Sequence, residues 1–237
     1  MAELTLRGAV GGYGDNTVLH GVDLDIPAGT WTTIIGANGA GKSTLLKLVA
    51  GIVPCRSGSI AFEGRDVTTL GPVERLRGGI GLVPQGRCNF PLLSVAENLM
   101  LGGYTRRLPR AELLRESDEV VERFPQLRSR WHVDAGNLSG GEQQMLEMAM
   151  VLMAKPRLLL LDEPSLGLAP GPMQAVFDIV RSLTTQGLTV LMVEQNARQA
   201  LERCDLGVVL ELGRVSLVEP ARSVLDHPDI RRSFLGL

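Results

Sequence analysis

The chain has 237 residues, of which 44% are hydrophobic, and a formal net charge of −2. That length suits one large α/β domain or a core with a subdomain, and the small negative charge supplies no positive field for nucleic acid. Three cysteines (Cys55, Cys88, Cys204) without paired spacing point away from disulfides or a metal cluster and towards a reducing compartment.

The first residues alternate like a strand and lack the apolar stretch of a signal peptide. Leu4 and Leu6, then Val22, Leu24 and Ile26, predict antiparallel strands covering one side of the core. Between them, residues 8–15 read as turn-rich, with Tyr13 exposed just before Val18. Residues 30–35 read as a buried strand and residues 44–50 as a helix stopped by Gly51. Residues 59–62 and then 80–83 read as strands, the second ending at Pro84-Gln85. From there to about Lys155 the pattern is helical. Ser94 and Glu97 form a capping-box pair, and Pro109 opens a helix through Leu113, Val120 and Val121 to Phe124-Pro125. Ser139 and Glu142 repeat the capping-box spacing ahead of a helix over residues 143–154. Residues 157–161 return to buried strand, Pro172 opens a helix that ends near Gly187, and residues 189–193 form another strand. Residues 207–211 and 215–218 flank a Gly213-Arg214 hairpin turn. The longest apolar runs, such as residues 158–161, stop far short of a membrane span, so a soluble chain is expected, free to dock on a membrane protein. Alternating strands and helices predict a mostly parallel sheet with helices on both faces.

Gly36, Ala37, Asn38, Gly39, Ala40, Gly41, Lys42 and Ser43 match G-x-x-x-x-G-K-[ST] between a strand and a helix. Glycines let successive N–H groups point at phosphate oxygens, Lys42 reaches the outer phosphates, and the Ser43 hydroxyl suits Mg²⁺. The helix that follows, from Thr44, aims its positive end at the anion. Asp162 and Glu163 leave the C-terminal end of a buried strand, where α/β sheets bind ligands. Asp162 suits Mg²⁺, and Glu163 suits orienting and deprotonating an attacking water. Gln85 reads either as a loop glutamine or as an amide reaching the metal or the water. Tyr13 reads either as a surface tyrosine or as a ring stacked on adenine, with Val18 beside it. Gln195, past residues 189–193, reads either as a helix cap or as a group facing the γ-phosphate. Leu138, Ser139, Gly140, Gly141, Glu142 and Gln143 place bare amides at a helix N-terminus, which is either a plain cap or a second anion site. Two phosphate-grade sites in one chain point to a partner whose Ser139 loop closes on this chain's nucleotide.

These residues resemble the ATPase subunits of ABC transporters over nearly the whole chain. Residues 36–43 look like their Walker A, Gln85 like the Q-loop glutamine, residues 138–143 like the signature, and residues 158–162 like Walker B, with Glu163 as catalytic glutamate and Tyr13 as the adenine-stacking position. Residues 139–146, 163–170 and 193–197, with Ser233-Phe234-Leu235-Gly236 at the end, are similar to the LivF-type ATPases of high-affinity branched-chain amino-acid importers. Urea and short-chain amide importers look much alike. The resemblance implies an α/β fold: a P-loop NTPase (RecA-like) core with an antiparallel β subdomain over residues 1–84 and 156–237, and an inserted α-helical subdomain over 85–155. It implies ATP and Mg²⁺ (on Ser43, Gln85 and Asp162), catalysis by Glu163 and Gln195, and hydrolysis of ATP to energise import. The implied partners are a second ATPase subunit, identical or paralogous, two membrane permease subunits and, indirectly, a solute-binding protein outside the membrane, but no nucleic acid. The implied location is cytoplasmic, peripheral on the inner face of the plasma membrane. Residues 86–91 are the candidate contact with a membrane subunit. Two positions depart from the family pattern: Gln195 stands where His is usual, and Ala169 where many members have an aspartate. A soluble ABC ATPase uncoupled from transport, or a nucleotide-gated scaffold, are the rival readings.

Overall fold

The computed structural model describes residues 2–234, so the closing Ser233-Phe234-Leu235-Gly236 run lies partly outside the described residues. Two sheets carry the fold. The first contains β1 (Ala2–Tyr13), β2 (Asn16–Pro27), β4 (Cys55–Phe62) and β5 (Arg65–Asp66) in the order β2-β1-β4-β5, all antiparallel. The second contains β3 (Trp31–Ile35), β6 (Ile80–Val83), β7 (Leu158–Asp162), β8 (Thr189–Val193), β9 (Leu206–Glu211) and β10 (Arg214–Pro220) in the order β10-β9-β3-β8-β7-β6. Its strands run parallel apart from the antiparallel edge strand β10.

The parallel strands are buried on both faces, which is why they read as unbroken apolar runs. Along β7 the period of two sorts them. Leu158 and Leu160 join the cluster that packs α1 (Lys42–Val49) and the antiparallel sheet, whereas Leu159 and Leu161 face the other way. That second cluster gathers α3 (Val95–Gly102), α4 (Arg110–Val121), α5 (Pro125–Arg128), α6 (Gly140–Leu152) and α7 (Pro170–Thr185). Helices α3 to α6 all lie between β6 and β7 in the chain. The remaining helices are α2 (Pro72–Arg77), α8 (Ala197–Leu201), α9 (Ala221–Asp226) and α10 (Pro228–Phe234).

The glycine-rich segment after Leu6 corrects one expectation. Rather than turning, β1 runs on to Tyr13, and Gly14-Asp15 alone form the turn. Register shifts between Leu6 and Ala9 and between Gly11 and Gly12 absorb the irregularity as bulges. Glycine is needed there for close approach: a Cβ on Gly11 would lie 2.5 Å from Leu48 Cδ1, and one on Gly12 2.0 Å from Asn16 O. Helix starts also shift. α1 begins at Lys42 rather than Thr44, α6 at Gly140 rather than Gln143, and α7 at Pro170 rather than Pro172, because a proline fits the first turn where its missing N–H costs nothing. α4 stops at Val121, and Pro125 opens the separate α5. Residues 72–77 and the short helices α8 to α10 carry too few turns for a periodic signal.

Candidate active site

The phosphate-loop sequence leaves the central strand β3 and enters α1. Gly41 caps the helix at φ 102° and Gly39 sits at φ 82°, both in the left-handed region that glycine tolerates. Gly36 is fixed by space, since a Cβ there would lie 2.2 Å from Leu210 O. Ala40 N–H donates to Ala37 O at 3.1 Å, and Gly213 N–H to Ala40 O at 2.9 Å, closing the loop against the β9–β10 turn. The Lys42 ammonium donates to the Gly36 and Ala37 carbonyls at 2.8 and 3.1 Å. Burial pushes its pKa below the ordinary lysine value, against the pull of Glu163 and Asp162. The first turn of α1 contains no acidic residue, so the positive helix end has no internal anion to satisfy it.

Ser43 Oγ donates to Asp162 Oδ1 at 2.8 Å, joining α1 to the end of β7. Burial raises the pKa of Asp162, while the Ser43 bond and the charges of Lys47 and Lys42 pull it down. Glu163 takes a left-handed turn at φ 51°, anchored by its N–H to Val193 O at 2.9 Å. Its Oε2 accepts from Gln85 Nε2 at 2.9 Å. Residues Val18, Asn38, Gly39, Gly41, Lys42, Ser43, Thr44, Gln85, Glu163, Leu166 and Gln195 line one open cavity of about 520 Å³. Leu166 was not foreseen; an apolar residue in a polar loop is its sole sequence signal. Tyr13 is 48% exposed at the β1–β2 hairpin and stands outside that lining, although Val18 belongs to it.

None of residues 138–143 lines this cavity. Ser139 N–H donates to Glu142 Oε2 at 2.8 Å and Ser139 Oγ accepts from Glu142 N–H at 3.3 Å, a complete capping box. Leu138, Gly141 and Gln143 pack inwards: Gln143 Nε2 donates to Leu138 O at 3.0 Å, and a Cβ on Gly141 would meet Pro172 Cβ at 2.6 Å. Ser139 and Gly140 face solvent. Gly140 and Gln143 line a recess of about 280 Å³ that also includes Glu163 and Leu166.

A third concavity of about 350 Å³ was invisible in the sequence. Its apolar wall comes from Ala50, Ile52, Leu76, Ile80, Leu82, Val83, Met150 and Val151, with Cys88 and Glu147 at its polar side. Leu92, 88% exposed, and Phe90 stand on the loop that runs on from Cys88. Residues so scattered along the chain leave no motif. Among the described residues there is no group of three or more His, Cys, Asp or Glu placed to hold a metal, and no helix is long and apolar enough to cross a membrane.

The chain is similar to known proteins along most of its length. The family model for the ABC transporter matches residues 19–166, more than half of the chain. The high-affinity branched-chain amino acid transport ATP-binding protein BraG of Pseudomonas aeruginosa is 45% identical over 94% of this chain and 95% of its own. The probable branched-chain amino acid transport ATP-binding protein LivF of Archaeoglobus fulgidus is 38% identical over 95% of each. A crystal structure of the ADP conformation of an ATP-binding cassette of an ABC transporter superposes with a TM-score of 0.87 at 27% identity, covering 100% of both chains. The phosphate loop, its Asp162 partner and these likenesses lead to one conclusion: the chain belongs to the ABC transporter family, as one of its ATP-binding proteins.

Proposed function

We propose that the chain hydrolyses ATP to energise uptake of branched-chain amino acids through an ABC importer. The full-length 45% identity to a protein named for that transport carries the choice of solute. The site geometry supports the chemistry. ATP phosphates lie on the 36–43 loop and on the N-terminus of α1, with Lys42 leaving the Gly36 and Ala37 carbonyls for the outer phosphates. Tyr13 stacks on adenine beside Val18.

The donor set fits Mg²⁺. The Ser43 hydroxyl and the Asp162 carboxylate already touch, the carboxylate is desolvated, and Gln85 offers an amide oxygen on the same cavity. Mg²⁺ takes few protein oxygens and completes its shell with phosphates and water, which suits a site without a carboxylate cluster. When bound it supplies charge neutralisation to the phosphates. Glu163 orients and deprotonates the attacking water, with Gln85 holding its carboxylate through the 2.9 Å bond. Gln195 donates to the γ-phosphate but carries no positive charge.

Residues 1–84 and 156–237 act as the nucleotide-binding unit and 85–155 as the helical one. A second ATPase subunit, identical or paralogous, closes the cavity with its own residues 138–143, of which Ser139 and Gly140 are the exposed pair. The apolar groove beside Cys88, with the 86–91 loop at its edge, takes a segment of a membrane permease subunit and holds the chain at the inner face of the plasma membrane. A solute-binding protein acts on the far side. The test is reconstitution in vesicles with the permease subunits. ATP-driven leucine uptake is expected; hydrolysis without leucine uptake would remove the solute assignment, and a complex without hydrolysis would remove the whole reading.

A further inference from the structure

β8 ends at Val193, and the next residue, Glu194, is 2% exposed. Its carboxylate turns towards the loop after β7. There Oε1 accepts the Ser165 N–H at 3.0 Å and Oε2 accepts the Ser165 hydroxyl at 2.9 Å. Ser165 is itself buried. One carboxylate therefore takes both donors of a single residue.

Both ends of this clamp adjoin the nucleotide cavity. Gln195 follows Glu194, while Glu163 and Leu166 bracket Ser165. Glu163 occupies a left-handed backbone conformation that a residue with a Cβ holds only when its surroundings enforce it. The enforcing bonds are few. Glu163 N–H donates to Val193 O, the residue before Glu194, Leu166 N–H donates to the Glu163 carbonyl at 3.1 Å, and Leu168 N–H donates to the carbonyl of Ser165 at 3.1 Å. Leu166 itself is half exposed and supplies no core packing to the loop.

We propose that Glu194 is a positioning residue for ATP hydrolysis: by clamping Ser165 it fixes Glu163 in register with Gln195 across the cavity. The proposal rests on the ATPase reading above. Burial raises the Glu194 carboxyl to about 7, the Ser165 and Gln195 hydrogen bonds pull it down, and the facing charge of Glu163 adds to the rise. Below that pH one oxygen carries a proton and no longer accepts from Ser165, so the clamp loosens. Above it both oxygens accept.

The test compares steady-state ATP hydrolysis by the wild type, Glu194→Gln and Ser165→Ala across pH. Glu194→Gln keeps the shape but lacks the second acceptor. It is expected to lower kcat roughly tenfold or more, since a displacement of about 1 Å at a reacting group costs on the order of 10². KM for ATP should stay within about twofold, because a displaced Glu163 weakens transition-state stabilisation and leaves the contacts that bind ATP in place. Wild-type kcat should fall as pH drops through about 7, and Glu194→Gln should lack that inflection. Ser165→Ala removes one bond to the charged form and should move the inflection upwards. A wild type without hydrolysis would sink the ATPase reading and the inference together. A working wild type whose kcat and pH profile are matched by Glu194→Gln would overturn the inference alone. So would a variant that loses melting temperature and ATP affinity while keeping the wild-type inflection, since that marks a merely structural role.

Discussion

Arg75 offers a sharp test of how the phosphate-loop helix is anchored. It lies on α2, is 2% exposed, and directs its guanidinium at main-chain oxygens: Leu48 O at 2.8 Å, Val49 O at 2.9 Å, Thr68 O at 2.9 Å and Leu70 O at 3.0 Å. Leu48 and Val49 close α1, where carbonyls lack helical partners and the helix dipole is negative. Arg75→Met keeps the length of the side chain and removes every donor. Leu48 O still accepts from Gly51 N–H at 3.1 Å, but Val49, Thr68 and Leu70 lose this donor. A buried acceptor left unmade costs about 1–3 kcal/mol, and water entering the gap recovers part of that, so a net loss of about 3–5 kcal/mol is expected. At this chain length each kcal/mol shifts the melting temperature by about 2–4 °C, giving a drop of roughly 6–20 °C. Thermal unfolding of wild type and variant followed by circular dichroism at pH 7 reads it directly. Arg75→Lys, with one donor head in place of a fork, should fall between them. A variant melting within about 2 °C of wild type would show that desolvating the guanidinium, which lowers its pKa, cancels what its bonds contribute.

Glu163→Gln should cut hydrolysis on the order of 10²–10⁴-fold, the usual worth of a general base, while a fluorescent ATP analogue still binds; near-normal turnover would reject Glu163 as the base. Ser139→Arg should abolish hydrolysis in the assembled complex and leave nucleotide bound at each subunit's own loop, because the side chain lies on the exposed lip of α6; persistent turnover would reject closure by a partner. Glu116 on α4 pairs with Arg106 and Lys155, which hold its carboxyl at about 2 against an ordinary 4.5. A depressed acid stabilises the fold above about 4.5 and loses that contribution as pH falls towards 2. The wild type should therefore lose melting temperature more steeply over that window than Glu116→Gln, and parallel curves would contradict the assignment.

The parallel strands and the phosphate loop were legible because their signals are local. Residues 158–161 are four leucines in a row, and 36–43 combine backbone freedom with a lysine at fixed spacing. Ser43 and Asp162 each read as candidates for Mg²⁺, and their side chains meet at 2.8 Å although 119 positions apart. The glycines at 11 and 12 misled because glycine marks close approach as readily as it marks a turn, and the neighbour that demands it, Leu48 in one case, comes from another element. The tethers formed by Arg75, Glu147 and Glu194 were illegible for the same reason. Arg75 shares its short helix with Glu74 and Arg77, so it reads as part of a solvated face, and nothing local says that it points at the end of α1.

Those tethers share a physical logic. A loop beside a ligand cavity has polar main-chain groups that need partners and little apolar surface to bury. A charged side chain sent in from a neighbouring element meets the first demand, because each of its bonds is charge-assisted and one side chain serves several main-chain groups. Glu147 does this on α6, where Oε1 accepts Cys88 N–H at 2.7 Å and Asn89 Nδ2 at 2.9 Å, three and four positions after Gln85. Burial raises its pKa, so the tether is made against desolvation of the carboxylate. What a tether holds decides what its loss does. α1 carries Leu45, Leu46, Leu48 and Val49 into the core, so releasing its end at Arg75 destabilises the whole fold. The 163–168 loop sends only the partly buried Leu168 against a core cluster, beside the exposed Leu166 and a strained Glu163, so releasing Ser165 changes the geometry of the reaction with little effect on melting. The Arg75 and Glu194 substitutions should therefore separate cleanly, one read in melting temperature and the other in kcat; a Glu194→Gln protein that melted as early as Arg75→Met would mean that the loop is core structure after all.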